Sequence, residues 1–173
     1  MGLFRPTIYQ KSIFDVQYDS LKDQGITCLV FDLDNTLGLM EQKKSPRKVK
    51  QLIRSLQDDF LVLVCSNNFR SRVKPYLDDL HVGGTCLSMK PFTWGLSRIK
   101  KKYHLKKKEM CLRGDQMVTD ILAGNRYHIM TVLVDPMGEK ELMITGINRN
   151  LEAKINRRYQ KKGIIERGKY YGE

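Results

Sequence analysis

Four short apolar runs, separated by helix-length stretches, constrain the fold of this chain more than any other feature. The runs ITCLVFDL (26–33), FLVLVC (60–65) and IMTVLV (129–134) are rich in residues that favour strands, and a weaker run, MCLR, covers 110–113. Continuous apolar runs of this length are typical of strands buried on both faces of a parallel sheet. A further weak candidate is TCLSM at 85–89.

Amphipathic stretches between these runs predict the connecting helices. Ser45-Pro46 predicts a helix start, because a capping residue is followed by proline at the first helical position. Further helices are expected over 68–80, 93–102 and 118–126. Strands that alternate with helices predict an α/β fold, a three-layer sandwich with a mostly parallel sheet and right-handed crossovers.

Composition narrows the class of protein and of partner. The chain has 173 residues, enough for one ordinary domain, and 41% of them are hydrophobic, which is typical of a globular protein. No apolar run approaches the roughly 20 residues that a membrane-spanning helix needs. Lys and Arg number 31 against 19 Asp and Glu, and the net charge of +12 favours phosphorylated substrates, nucleic acid or an acidic membrane surface as partners.

The four cysteines indicate a reducing compartment. They have no CxxC spacing, and each lies in or beside an apolar run: Cys28, Cys65, Cys86 and Cys111. We interpret them as buried, reduced thiols and expect a cytoplasmic protein. The amino-terminal segment agrees, because it carries charges and a proline where a signal peptide would be continuously apolar.

Polar side chains follow the predicted strands at their carboxyl ends, which is where ligands bind in open α/β sheets. DLDNT (32–36) overlaps the end of the run at 26–33, and SNN (66–68) follows the run at 60–65. KP (90–91) follows the weak candidate at 85–89, and GDQMVTD (114–120) follows the run at 110–113. Three carboxylates, a hydroxyl and an ammonium are therefore expected at one edge of the sheet: Asp32, Asp34, Asp115, Ser66 and Lys90.

The spacing of the first two carboxylates suggests a metal. Residues two apart on an extended segment point the same way, so Asp32 and Asp34 can serve one site. Together with Asp115 they would repel one another strongly unless a cation lay among them. A hard divalent ion that prefers oxygen ligands, above all Mg²⁺, meets this requirement. Ser66 and Lys90 then supply donors for a phosphoryl group.

The same pieces resemble the four motifs of haloacid-dehalogenase-like (HAD) phosphohydrolases. The spacing LVFDLDNTL, VCSNN, KP, GDQMVTDILAGNR is similar to that of the YqeG-type, class IIIA members of bacteria, which are related to a fungal mitochondrial phosphatidylglycerophosphate phosphatase. The likeness extends from about residue 5 to about residue 165. It implies a HAD-like Rossmannoid fold, hydrolysis of phosphomonoesters, and Mg²⁺ as the cofactor.

The resemblance also implies a role for each site residue. Asp32 would be the nucleophile that takes the phosphoryl group as an aspartyl phosphate. Asp34 would protonate the leaving oxygen and then activate water, and its main-chain carbonyl would contact the metal. The implied phosphate-binding residues are Thr36, Ser66, Asn67 and Lys90, and the implied metal-binding residues are Asp32, Asp34, Asp115 and Asp120.

Most of these residues also have a purely structural interpretation. Ser66 could cap a helix, Lys90 could be an exposed charge, and Asp120 could begin a helix without binding metal. Local hydrogen bonds, turns or caps are the alternative for Thr36, Asn67 and Asn68.

The short connection after the first strand predicts an open site. Only residues 37–45 separate Thr36 from the next helix, too few for a large cap. An open site suits a large or surface-embedded substrate, and family analogy points to phosphatidylglycerophosphate, an anionic phospholipid. The alternatives are a phosphatase of a soluble phosphometabolite or nucleotide, and a non-catalytic module that binds RNA or the ribosome through its positive charge.

A basic amphipathic helix is predicted at about 147–162. Its apolar positions recur every four residues among Asn, Arg and Lys: Ile147, Leu151, Ile155 and Tyr159. Either this stripe contacts an anionic membrane, which would place the protein at the inner face of the membrane, or it packs on the sheet. A second basic segment, 98–108, is either a solvated helix face or another anionic contact. The chain is expected to form a single domain over 1–173.

Overall fold

A six-stranded sheet lies at the centre of the computed structural model, which describes residues 2–137, 154–155, 157–159 and 161–169. The strands are β1 (Ile8–Gln10), β2 (Cys28–Phe31), β3 (Leu61–Cys65), β4 (Gly83–Thr85), β5 (Met110–Gly114) and β6 (Met130–Val134). Their order is β1-β6-β5-β2-β3-β4, and every neighbouring pair is parallel. The carboxyl ends of all six strands therefore meet at one edge.

Helices cover both faces of this sheet. They are α1 (Tyr18–Asp23), α2 (Arg47–Leu56), α3 (Arg70–Leu80), α4 (Trp94–Lys102) and α5 (Leu122–Tyr127), with a 3₁₀ turn at Lys107–Glu109 and a π-helical turn at Met117–Ile121. Helices α1, α2 and α3 pack on one face, and α4 and α5 pack on the other. The predicted three-layer α/β sandwich with a mostly parallel sheet is confirmed.

Strand β2 shows why its sequence is apolar without interruption. Leu29 and Phe31 pack with the helices of the first face, while Cys28 and Val30 pack with those of the second. All four side chains are fully buried. A strand between two helical layers has no solvent face, so its sequence cannot alternate with polar residues.

Two expectations about secondary structure were wrong. Strand β4 lies before the predicted run at 85–89, because Leu87 and Met89 adopt left-handed backbone angles (φ 48° and 58°) that do not fit a strand. Helix α2 begins after Pro46, and the Ser45 side chain makes no capping hydrogen bond.

The described part of the carboxyl-terminal region is helical at 154–155, 157–159 and 161, within the predicted range. Ile155 and Tyr159 pack against a cluster that includes Tyr9 of β1. Ile147 and Leu151 lie outside the described residues. The described half of the apolar stripe thus follows the alternative in which it packs on the core. None of the described helices is both long enough and apolar enough to span a bilayer.

Candidate active site

The site lies at the carboxyl edge of the sheet. Phe31 pairs with Val64 and with Arg113, so β2, β3 and β5 end at the same level. Asp32 and Ser66 directly follow the first two of these strands, and Asp115 follows the third. Lys90 comes from the loop after β4. The segments that were predicted to supply one site are therefore neighbours in space.

Lys90 is the cation at the centre of this edge. Its Nζ donates to Oδ1 of Asp32 at 2.5 Å and to Oδ1 of Asp120 at 2.6 Å. The side chain of Lys90 is only 2% exposed. Burial alone would lower the pKa of Lys90, but attraction to Asp120 and Asp32 outweighs it and raises the pKa. Lys90 is therefore a fixed, buried ammonium and not a surface charge.

Burial, Lys90 and the neighbouring acids act in opposite directions on the pKa of Asp32. Burial raises the pKa of Asp32 to about 7, against the attraction of Lys90, and repulsion from Asp120 adds to the rise. Carboxylate oxygens of Asp32, Asp115 and Asp120 all lie within 4.8 Å of one another. The Lys90 ammonium thus contacts two of the three acids in this cluster.

This cluster suits a hard divalent cation. Its donors are all carboxylate oxygens, the ligand type that Mg²⁺ prefers. Asp120 comes from the π-helical turn, where its Oδ2 accepts a hydrogen bond from the Gln116 main-chain N–H at 3.2 Å. Gly114 makes room for it, since a Cβ there would lie 2.2 Å from the Asp120 carboxyl carbon. The residues present fit a metal of this kind.

Asp34 is oriented by partners of its own. Nη2 and Nε of Arg72 donate to its Oδ1 at 2.7 and 3.1 Å, and Nδ2 of Asn68 donates to its Oδ2 at 2.8 Å. The Asp34 side chain is 15% exposed, so it stays open to the mouth of the site. Neither contact was predicted from the sequence, where Asn68 was interpreted as a turn or cap residue. No local pattern in the sequence signals either contact, because Asn68 precedes α3 and the position of Arg72 depends on how that helix packs.

Ser66 and Asn67 are two of the residues that the sequence predicts to bind phosphate. Ser66 is buried, and its Oγ accepts from the Asn68 main-chain N–H at 3.1 Å, which leaves the hydroxyl proton to donate. The Asn67 amide bonds the Lys90 main chain on both sides, donating to its carbonyl at 2.9 Å and accepting from its N–H at 2.7 Å. Asn67 therefore positions the Lys90 segment. Its binding to phosphate stays a prediction.

Thr36 belongs to the tight turn after β2. Asn35 has a φ of 63°, and its N–H donates to the Gly38 carbonyl at 2.8 Å. The Thr36 hydroxyl is buried, and no partner for it is found among the described residues. The predicted local hydrogen bond of this hydroxyl is therefore not seen, and a role in phosphate binding stays a prediction.

Known proteins resemble this chain in sequence. A HAD-hydrolase-like family model matches residues 88–140. The probable phosphatase YqeG of Bacillus subtilis is 31% identical over 164 residues, which cover 94% of this chain and 95% of that protein. Phosphatidylglycerophosphate phosphatase 1 of Arabidopsis thaliana, chloroplastic and mitochondrial, is 25% identical over 170 residues, covering 92% of this chain and 49% of that protein.

Solved structures resemble it in fold. An uncharacterized protein from Listeria monocytogenes serotype 4b superposes with a TM-score of 0.55 at 13% identity, covering 79% of this chain and 99% of that one. The cobalt-bound deoxy-D-mannose-octulosonate 8-phosphate phosphatase of Haemophilus influenzae superposes at 0.51 with 16% identity, covering 84% and 95%. These identities speak for the fold alone, whereas the likeness to YqeG covers nearly both chains. The chain belongs to the HAD superfamily and, within it, to the YqeG family of phosphatases.

Proposed function

We propose that this phosphatase is a Mg²⁺-dependent phosphomonoester hydrolase that works through an aspartyl phosphate on Asp32. The observation that supports this best is the buried Lys90 ammonium, held 2.5 Å from the Asp32 carboxylate beside two further acids. A carboxylate with a fixed cation next to it can receive a phosphoryl group whose charge is offset at the same place.

The metal would be held by three side chains and one main-chain group. Asp32, Asp115 and Asp120 would supply carboxylate oxygens, and Asp34 its carbonyl. The bound ion would offset negative charge on the phosphoryl group.

In the first step an Asp32 oxygen bonds to phosphorus as the bond from phosphorus to the leaving oxygen breaks. Asp34 gives its proton to that leaving oxygen, and Arg72 and Asn68 keep Asp34 in position. The Ser66 hydroxyl and the Lys90 ammonium donate to the phosphoryl oxygens.

In the second step water hydrolyses the aspartyl phosphate. Asp34, now a carboxylate, takes a proton from water as the water oxygen bonds to phosphorus. The bond between phosphorus and the Asp32 oxygen breaks, which restores the carboxylate and releases inorganic phosphate. Each group then has the protonation state with which it began.

The substrate we propose is a phosphomonoester on an anionic lipid, with phosphatidylglycerophosphate as the first candidate. Three observations support it: the likeness to the Arabidopsis phosphatase, the net charge of +12, and the short segment 32–46 between β2 and α2, which leaves no large cap over the site. A cytoplasmic location at the inner face of the membrane is part of this proposal. A soluble phosphometabolite is the alternative.

Phosphate release tests both levels of the proposal. Phosphatidylglycerophosphate, phosphatidate and common soluble phosphomonoesters are offered with Mg²⁺ to the native chain and to Asp32→Asn. We expect the lipid phosphomonoester to be preferred and the variant to lose about a thousandfold or more in kcat. Turnover of the soluble set alone would remove the lipid substrate, and undiminished activity of a folded Asp32→Asn variant would remove the nucleophile.

A further inference from the structure

The segments around the site carry more than half of the large exposed hydrophobic side chains among the described residues. Nine large hydrophobic side chains of the described residues are exposed, and five of them lie between positions 69 and 94. We call these five the apolar rim: Phe69, Leu87, Met89, Phe92 and Trp94. They sit on the segments that carry Ser66 and Lys90. Clustered exposure of this kind marks an interaction surface.

The segment before Lys90 exposes its apolar side chains and buries its polar ones. Leu87 and Met89 are 44% and 49% exposed, while Ser88 and Lys90, which alternate with them, are buried. The exposed pair have left-handed φ angles of 48° and 58°, which are unfavourable for residues with a side chain. Strained backbone is concentrated at functional sites, so a strained segment that exposes apolar side chains is a candidate functional surface.

The aromatic members of the rim form a stack in solvent. The rings of Phe92 and Trp94 lie 5.5 Å apart at 19°, and their side chains are 54% and 61% exposed. Phe69, which directly follows Ser66-Asn67-Asn68, is 67% exposed. Tryptophan is enriched at the interfacial region of a bilayer, and Trp and Phe are typical of the apolar face of interfacial helices.

The charge of the segment that carries four of the five rim residues has a single sign. From 80 to 108 the sequence has eight Lys and Arg and no Asp or Glu. Two exposed arginines hold the rim by its main chain, since Arg98 donates to the Leu87 carbonyl at 3.0 Å and Arg126 to the Pro91 carbonyl at 3.4 Å. Cations that border exposed aromatics complement a surface of anionic headgroups.

We propose that the apolar rim docks this phosphatase on an anionic lipid bilayer. Phe92 and Trp94 enter the interfacial region, Arg98 and Arg126 face headgroup phosphates, and a phosphomonoester in the membrane reaches Lys90 without leaving it. The inference rests on the proposed function and moves the membrane contact from the carboxyl-terminal helix to the mouth of the site. The positive border favours a lipid surface over a second copy of this chain, which carries the same net charge of +12.

Trp94 tests this directly, because it is the one tryptophan of the chain. The full chain is mixed with phosphatidylcholine vesicles that contain or lack phosphatidylglycerol, and its fluorescence is recorded. We expect a blue shift with the anionic vesicles, and quenching when their acyl chains are brominated. Absence of the shift or of the quenching would overturn the proposal.

Matched variants locate the contact. Phe92→Ser should weaken binding to the anionic vesicles about tenfold or more, and Met89→Ser should weaken it as well. Leu61→Ser is the control, because Leu61 is 37% exposed and begins β3, at the amino edge of the sheet and opposite to the site. Equal losses in all three variants would contradict a docking role for the rim.

The two proposals fail separately. The Trp94 signal needs no turnover, so a chain that releases no phosphate from any phosphomonoester would refute the proposed function while the fluorescence still reports on docking. A Trp94 blue shift that follows protein concentration and not lipid would identify a second copy as the occupant and overturn the membrane proposal.

Discussion

Each of the two carboxylates proposed to act in catalysis contacts a different cation. Lys90 contacts Asp32, the proposed nucleophile, and Arg72 contacts Asp34, the proposed acid and base. The guanidinium of Arg72 also donates to the carbonyls of Leu39 and Gln42. Arg72 therefore joins the orientation of Asp34 to the loop that borders the site.

Replacing Arg72 tests this positioning role. Arg72→Met should lower kcat about 10- to 100-fold with little change in KM, because Asp34 loses the fork that orients it while phosphate binding is untouched. Arg72→Lys should lie between the variant and the native chain, since lysine keeps the charge but not the two-pronged geometry. Steady-state kinetics on one soluble phosphomonoester measures both.

The control for Arg72 is Arg54→Met, which removes an exposed arginine of α2. Native kinetics are expected there. If Arg72→Met kept native kcat, the contact with Asp34 would have no part in proton transfer.

The acidic cluster makes a prediction about ligand-linked stability. Mg²⁺ at about a hundred times its Kd should stabilise the native chain by about 2.7 kcal/mol, because it binds only the folded cluster. Asp115→Asn should lose most of this gain, since one of three carboxylates is gone. Asp59→Asn, in an exposed pair with Lys22, should keep it. Thermal unfolding with and without Mg²⁺ distinguishes these results, and equal gains in both variants would exclude the cluster as the site.

Residues at strand ends could be predicted, and Arg72 could not. The meeting of Asp32, Lys90 and Asp115 follows from parallel strands, whose carboxyl ends must share an edge. The contact of Arg72 with Asp34 depends on where α3 crosses the loop at 39–42, which is set by packing and has no period in the sequence. The prediction that Cys86 is buried was wrong, because Cys86 lies in a loop and is only half-buried. The other three thiols are buried as expected.

Three helices of the fold end at or just before a histidine in an unusual conformation. His81 and His128 occupy the C-cap positions of α3 and α5 with φ near 54° and 58°. His104 follows the C-cap of α4 with a φ of 54°. Glycine is the residue that most often ends helices in this left-handed conformation, because it has no Cβ to strain. These ends therefore retain strain that a substitution can release.

A pair of variants at His81 measures this strain. His81→Gly should be more stable than His81→Ala by about 0.5–1 kcal/mol, because both lose the imidazole and only glycine relaxes at positive φ. The same pair at Gln57, the C-cap of α2 with a φ of −68°, should reverse the order. Urea denaturation gives both differences, and the same order at the two positions would contradict the assignment of strain to the left-handed cap.

At the level of elements, length decided what could be predicted. Strands β2, β3 and β6 are long enough for a continuous apolar run, and each was located within two residues of its ends. Strand β1 has three residues and α1 has six, too few for either period to emerge. Both depend on tertiary contacts, as Ile8 and Leu21 in the core show.

The segment around Tyr9 and the segment 161–169 are joined by main-chain hydrogen bonds. The Gly168 N–H donates to the Tyr9 carbonyl at 2.7 Å, and the Tyr9 N–H donates to the Lys169 carbonyl at 3.1 Å. Arg167 pairs with Asp135 at 2.6 Å, and that carboxylate also accepts from the Tyr9 hydroxyl at 2.7 Å. The carboxyl-terminal segment thus covers β1, the edge strand of the sheet, which would otherwise expose unpaired main-chain groups.

We expect the contact of this carboxyl-terminal segment with β1 to depend on Ile165, which is 2% exposed and packs in the same cluster as Tyr9. Ile165→Ala should lower the free energy of unfolding by about 2–4 kcal/mol, the cost of a cavity in a packed core. Ile164→Ala, at the half-buried neighbour on the same cluster, should cost about 1 kcal/mol because less surface leaves the core. Urea denaturation of both variants measures the difference. A loss at Ile165 no larger than at Ile164 would mean that the segment 161–169 lies on the sheet edge without stabilising it, whereas a larger loss makes this segment a structural part of the phosphatase fold.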